Sequence, residues 1–100
     1  MQLGEKIKEL RESKGLLQRQ LAASLEIDTP MFSKIERGER RAKREQVVKL
    51  AELLKTDVNE LLTVWLADQV YEIVKDEETA VGALKVAEST VKYSKVEKHV

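Results

Sequence analysis

The stretch QRQLAASLEIDTPMFSKIERGER, from Gln18 to Arg40, holds two short helical patterns separated by a few turn-forming residues. In the first, Leu21, Ala22 and Leu25 share one face of a helix. In the second, Phe32 and Ile35 do the same. Between them Glu26-Ile27-Asp28 reads as the turn, with Ile27 pointing inward. Asp28 is a strong helix N-cap, and Pro30 falls in the first turn, where proline is tolerated. Gly38 stops the second pattern. A charged run follows that has no place in a core.

Upstream, Leu3, Ile7 and Leu10 recur at i, i+4 and i+7, with charged residues continuing the helix to Lys14 and Gly15 ending it. Downstream, a fourth helix starts near Arg44 and carries Val47, Val48, Leu50, Ala51 and Leu54. Asp57 caps the next helix. Val64, Trp65, Leu66, Val70, Ile73 and Val74 extend that helix to about Lys75. A last helix, capped by Asp76, places Ala80, Leu84, Ala87 and Val91 on one stripe, and Asp76, Glu77 and Glu78 suit the dipole at its start.

Composition bounds the rest. A chain of 100 residues makes one domain with at most an appended element. One proline, four glycines and abundant Glu, Lys, Leu and Ala point to an all-α fold. With no cysteine, thiol catalysis, disulfides and zinc fingers are excluded. The sole histidine is His99, next to the C-terminus, and no glycine-rich phosphate loop occurs, so no catalytic constellation, metal site or cofactor site is expected. No apolar run approaches the roughly 18 residues of a membrane helix, and the N-terminus lacks a signal-like stretch, which implies a cytoplasmic protein with no membrane partner. Net charge is zero, yet residues 34–49 hold seven basic side chains against three acidic ones. The excess is local and follows the two short helices directly.

Two short helices with this spacing form a helix-turn-helix, in which the second helix enters the major groove of duplex DNA. Ala22 is small where the helices approach, and Leu21, Leu25, Ile27, Phe32 and Ile35 wedge them apart at a fixed angle. Thr29, Pro30, Met31, Ser33 and Lys34 remain at the front of the second helix as candidates to face the bases. Glu36 is expected to pair with a nearby arginine rather than to face phosphate.

These residues carry a resemblance to a family. LRESKGL (Leu10–Leu16), Gln18, the Leu21-Ala22 pair, SKIERG (Ser33–Gly38) and LAELLKTDVNELL (Leu50–Leu62) resemble, in order and spacing, the phage-repressor (Xre/Cro-like) helix-turn-helix family. The resemblance covers residues 1–63 and implies a five-helix lambda-repressor-like domain that binds double-stranded DNA, in transcriptional control, as a dimer on a palindrome. It implies that Gln18, with Arg19 beside it, contacts phosphate and that Gln18 braces the recognition helix. It implies that Thr29, Pro30, Ser33 and Lys34 meet bases or nearby phosphates, with Met31 either a further apolar contact or a partly buried packing residue. Arg37, Arg40, Arg41, Lys43 and Arg44 match the loop that rides on the sugar–phosphate backbone. Two departures stand out. Leu17 replaces a capping Thr or Ser, and Glu26 occupies a turn position where the family carries glycine.

Residues 64–100 lie beyond the resemblance and carry seven acidic against five basic side chains, a poor surface for DNA. They are expected to form a dimerisation arm through Trp65, Val70, Ile73, Val74, Leu84 and Val91, although Trp65 also reads as a core residue. The alternative is an antitoxin or a restriction–modification controller whose C-terminal helices hold a protein partner. A rival of another class is a protein-interaction module in which the helix-turn-helix is only scaffold.

Overall fold

The computed structural model describes residues 2–98, with side chains to residue 95, so His99 lies outside the described residues. They form six α-helices and no strand: α1 (Gln2–Ser13), α2 (Gln18–Ser24), α3 (Thr29–Glu36), α4 (Arg44–Leu53), α5 (Val58–Val74) and α6 (Ala80–Lys98). No helix among the described residues is long and apolar enough to cross a membrane. Two compact units divide the chain after Gln69, six residues beyond the boundary expected from the sequence.

Helix ends explain why the first unit folds where it does. α1, α2, α3 and α4 each terminate in a residue of positive φ, namely Gly15, Glu26, Gly38 and Lys55. At each end the amide of the next residue returns to a carbonyl five positions back: Leu16 to Arg11, Ile27 to Ala22, Glu39 to Lys34 and Thr56 to Ala51, at 2.9–3.1 Å. This is the Schellman closure, which satisfies carbonyls left over at a helix end. Glycine adopts that conformation freely, whereas Glu26 (φ 59°) and Lys55 (φ 53°) do so against their Cβ atoms, at a cost of about 1 kcal/mol each.

Helix starts are closed by side chains. Asp28 Oδ1 accepts from the Met31 amide at 2.7 Å, and Asp57 Oδ1 from the Asn59 amide at 2.9 Å. Leu17 has no acceptor to offer, but Gln20 Oε1 accepts from the Leu17 amide at 2.7 Å. Half of a capping box therefore survives the loss of the usual Thr or Ser. The start of α1 is closed from far along the chain: the Asp68 carboxylate accepts from the Gln2 and Leu3 amides at 3.0 and 2.9 Å.

The core of this unit is aliphatic around one ring. Ile7, Phe32, Val47, Leu50, Leu54 and Leu61 are fully enclosed, and Leu3, Leu21, Ala22, Ile35, Ala42 and Ala51 complete the buried set. Each large side chain so enclosed contributes roughly 1.5–3 kcal/mol relative to exposure. α1 reaches α3 closely because residue 4 is glycine: a Cβ there would stand 2.3 Å from the Glu36 carbonyl oxygen.

The second unit comprises the end of α5, a turn and α6. The last helix begins at Ala80 rather than at Asp76. The Glu77 amide donates to the Val74 carbonyl and the Ala80 amide to the Glu77 carbonyl, so Asp76, Glu77 and Glu78 lie in the turn ahead of the helix. Val70, Tyr71, Ile73, Val81, Leu84, Val86, Val91 and Tyr93 are all exposed.

Candidate nucleic-acid interface

α2 packs on α3 across the turn that Glu26 closes. Ala22 is 1% exposed at this approach, with Leu21 and Phe32 beside it in the core. α3 then has two faces. Phe32, Ile35 and Glu36 are buried, while Thr29, Pro30, Lys34 and Arg37 are exposed and Met31 and Ser33 are half-buried. The five base-facing candidates are thus on or beside the outward side of one short helix.

The inward side of α3 is held by an ion-pair cluster. Arg11 Nε and Nη2 donate to the two carboxylate oxygens of Glu36 at 2.7 and 3.2 Å, and Arg11 Nη1 donates to the Leu16 carbonyl at 3.0 Å. Gln18 Nε2 donates to Glu36 Oε1 at 2.9 Å. With 2% and 11% of their side chains exposed, Glu36 and Arg11 form a mostly desolvated bidentate pair. The hydrogen bond to Glu36 raises the Arg11 pKa above its ordinary value. Glu36 therefore faces an arginine, as expected, and its charge is neutralised before it can oppose phosphate. Gln18, half-buried at the first position of α2, is tied to α3 through the same carboxylate, while Arg19 beside it is exposed.

The basic loop follows α3. Arg37 pairs with Glu39 and also donates to the Ser33 hydroxyl one turn earlier. Its hydrogen bond to Glu39 raises the arginine's pKa and draws the Glu39 carboxyl below the usual carboxylate range. Arg37 is thus a half-neutralised cation, in contrast to its neighbours. Arg40, Arg41, Lys43 and Arg44 are exposed, and among the described residues none has an acidic side chain within ion-pairing distance. Ala42, between them, is 2% exposed and anchors the loop. Its carbonyl accepts from the indole Nε1 of Trp65 at 2.7 Å, and the Arg44 guanidinium lies 5.3 Å from the centre of that ring. Trp65 packs against the core of the first unit, which is the core half of its sequence reading.

Sequence reasoning did not find Gly4, Arg11 or Asp68. Each acts through a partner at least 25 residues away, so no local pattern marks it, although a glycine inside an otherwise regular helix costs about 1 kcal/mol against alanine and so invites a packing reason.

The arrangement offers a helix of outward polar and small residues, a braced glutamine and a row of free cations after it. An arrangement of this kind can present donors and acceptors to base edges and cations to phosphates. The helix-turn-helix domain family matches residues 2–63. No curated protein matches the chain. Among solved structures it is similar to the restriction-modification controller protein C.AhdI from Aeromonas hydrophila, at 35% identity over 60% of this chain and 87% of that one, with a TM-score of 0.55. It shares its fold with the clp gene regulator ClgR from Corynebacterium glutamicum, at 20% identity over 94% of this chain and 84% of that one, with a TM-score of 0.57. The chain belongs to the Xre-like helix-turn-helix family of DNA-binding transcriptional regulators.

Proposed function

We propose that the protein binds a palindromic operator sequence-specifically, as a homodimer, and so controls transcription. The observation that carries this reading is the outward face of α3 followed directly by four exposed, unneutralised cations. In this reading α3 enters the major groove. Thr29, Ser33 and Lys34 supply donors and acceptors, and Pro30 and Met31 supply apolar contact to thymine methyl groups. Gln18, Arg19, Arg37, Arg40, Arg41, Lys43 and Arg44 meet the backbone. Two recognition helices then lie about 34 Å apart in successive grooves.

The dimer is supported by the second unit, where Val70, Ile73, Leu84 and Val91 are exposed and Val74 is half-buried. Ala80, Leu84, Ala87 and Val91 recur at spacings of four, three and four, the periodicity of a helix–helix seam. Residues 70–98 thus act as the joining arm through Val70, Ile73, Val74, Leu84 and Val91. Trp65 serves the DNA-binding unit instead. The likeness to C.AhdI favours a second, narrower reading, that the operator controlled belongs to a restriction–modification system.

The test is a paired substitution. Lys34→Ala should change which duplex is preferred, while Arg41→Ala should weaken all duplexes alike and reduce the salt slope by about one phosphate. Equal effects of both on every duplex would sink the assignment of α3 as the reading helix.

A further inference from the structure

We propose that Trp65 is the positioning residue of the basic loop, holding residues 40–44 in the shape that meets the DNA backbone; this rests on the DNA-binding reading above. The loop has no regular structure from Arg41 to Lys43, yet it must present four long cations in register with phosphates. Left free, those side chains and their backbone would lose much conformational entropy on binding.

The structure supplies two constraints, both from one side chain. The indole Nε1–H of Trp65 holds the Ala42 carbonyl at 2.7 Å, fixing the middle of the loop. The face of the same ring lies under the Arg44 guanidinium, with 5.3 Å between its central carbon and the ring centre. An aromatic face restrains arginine without neutralising it, so Arg44 keeps its full charge for phosphate. A carboxylate in that place would hold the arginine but offset part of its charge, as Glu39 does for Arg37. Burial of Ala42 adds a third tie, turning Arg41 and Lys43 outward on either side. Trp65 itself stands in the 17-residue α5, three residues before the aspartate that closes the start of α1, so the platform beneath the loop is rigid.

Trp65 uses both a donor at its edge and the face of its ring, and the two can be removed in turn. Trp65→Phe keeps an aromatic face and loses the donor, and Trp65→Leu loses both. On the duplex enriched from a random pool, the full-length Trp65→Phe variant should bind roughly three- to tenfold more weakly, as for loss of one hydrogen bond, and should enrich the same sequence as the parent. Trp65→Leu should weaken binding further. Arg44→Gln should weaken the parent more than it weakens Trp65→Leu, because the two side chains act together. Unchanged affinity and salt slope for Trp65→Phe and Trp65→Leu, with Arg41→Ala still weakening all duplexes, would overturn the role of Trp65 and leave the DNA reading standing. Indifference of every duplex to Lys34→Ala and Arg41→Ala would sink both. If the variants do not fold, the parent decides. Trp65 is the sole tryptophan, so 5-fluorotryptophan gives one fluorine resonance. That resonance should shift on adding the enriched duplex, and an unmoved resonance overturns the proposal.

Discussion

Replacing Gly4 by alanine tests how closely α1 and the recognition helix are joined. Alanine favours a helix interior over glycine by about 1 kcal/mol, so on propensity alone the change stabilises. The structure reverses the sign. A Cβ at position 4 would lie 2.3 Å from the Glu36 carbonyl oxygen, 2.8 Å from its carbonyl carbon and 2.8 Å from the Ile35 carbonyl oxygen. All three are backbone atoms at the end of α3, which cannot swing aside as a flexible side chain would. Relief requires α1 to retreat, which also pulls Arg11 from Glu36 and the first amides of α1 from Asp68. Overpacking costs roughly 1–3 kcal/mol, and a 2.3 Å approach to fixed backbone puts this site at the upper end, about 2–3 kcal/mol, above the propensity gain of about 1 kcal/mol. Gly4→Ala should therefore be net destabilising by about 1–2 kcal/mol, or roughly 4–16 °C in melting temperature for a domain of this size. Gly82 provides the control, since a Cβ there meets nothing within 4 Å. Gly82→Ala should raise helix stability by about 0.5–1 kcal/mol. Both are read by circular dichroism at 222 nm through thermal and urea unfolding. A Gly4→Ala protein as stable as the parent, or more so, would refute the close approach of α1 to α3.

Glu36→Ala leaves Arg11 desolvated without its carboxylate and should cost about 3–5 kcal/mol in urea unfolding, well beyond any surface substitution; a loss under 1 kcal/mol would mean the pair is not buried. Glu26→Gly removes the Cβ strain of a left-handed residue and should raise stability by about 1 kcal/mol, with the same unfolding slope. Glu39→Gln frees Arg37 from its neutralising partner. It should tighten binding to every duplex and steepen the salt dependence by up to one phosphate, measured by fluorescence anisotropy at several salt concentrations.

Much of the DNA-binding unit was legible in the sequence because its signals are local. Gly15 and Gly38 ended helices where the glycine rule puts them, Asp28 and Asp57 capped the helices that follow them, and the apolar spacings of Leu3, Ile7, Leu21 and Phe32 marked the core. Glu26 adopted the left-handed conformation demanded by the turn, despite its side chain. Lys55 did the same at the end of α4 with no residue-type signal to announce it. Asp76 failed as a cap because the chain turns once more before α6 starts, a choice made by turn geometry rather than by residue type.

What stayed hidden is non-local. The first unit runs past Thr63 because Trp65 reaches Ala42 and Asp68 reaches the start of α1, contacts spanning 23 and 65 or more residues. A fragment ending at Thr63 would lose both ties, so one ending at Gln69 is the better minimal domain. The outward residues of α3 were legible as a set, but the pairing of Arg37 with Glu39 and the aromatic seat of Arg44 depend on how the loop folds back.

The most direct test of the account is selection from a random duplex pool with the purified protein, followed by a salt titration on the enriched sequence. The expected result is an enriched palindrome, with half-sites centred about one helical turn apart, whose affinity falls with salt by a slope of roughly −0.9 for each phosphate neutralised. Uniform weak binding to every duplex, with nothing enriched, would contradict it and mark the helix-turn-helix as scaffold.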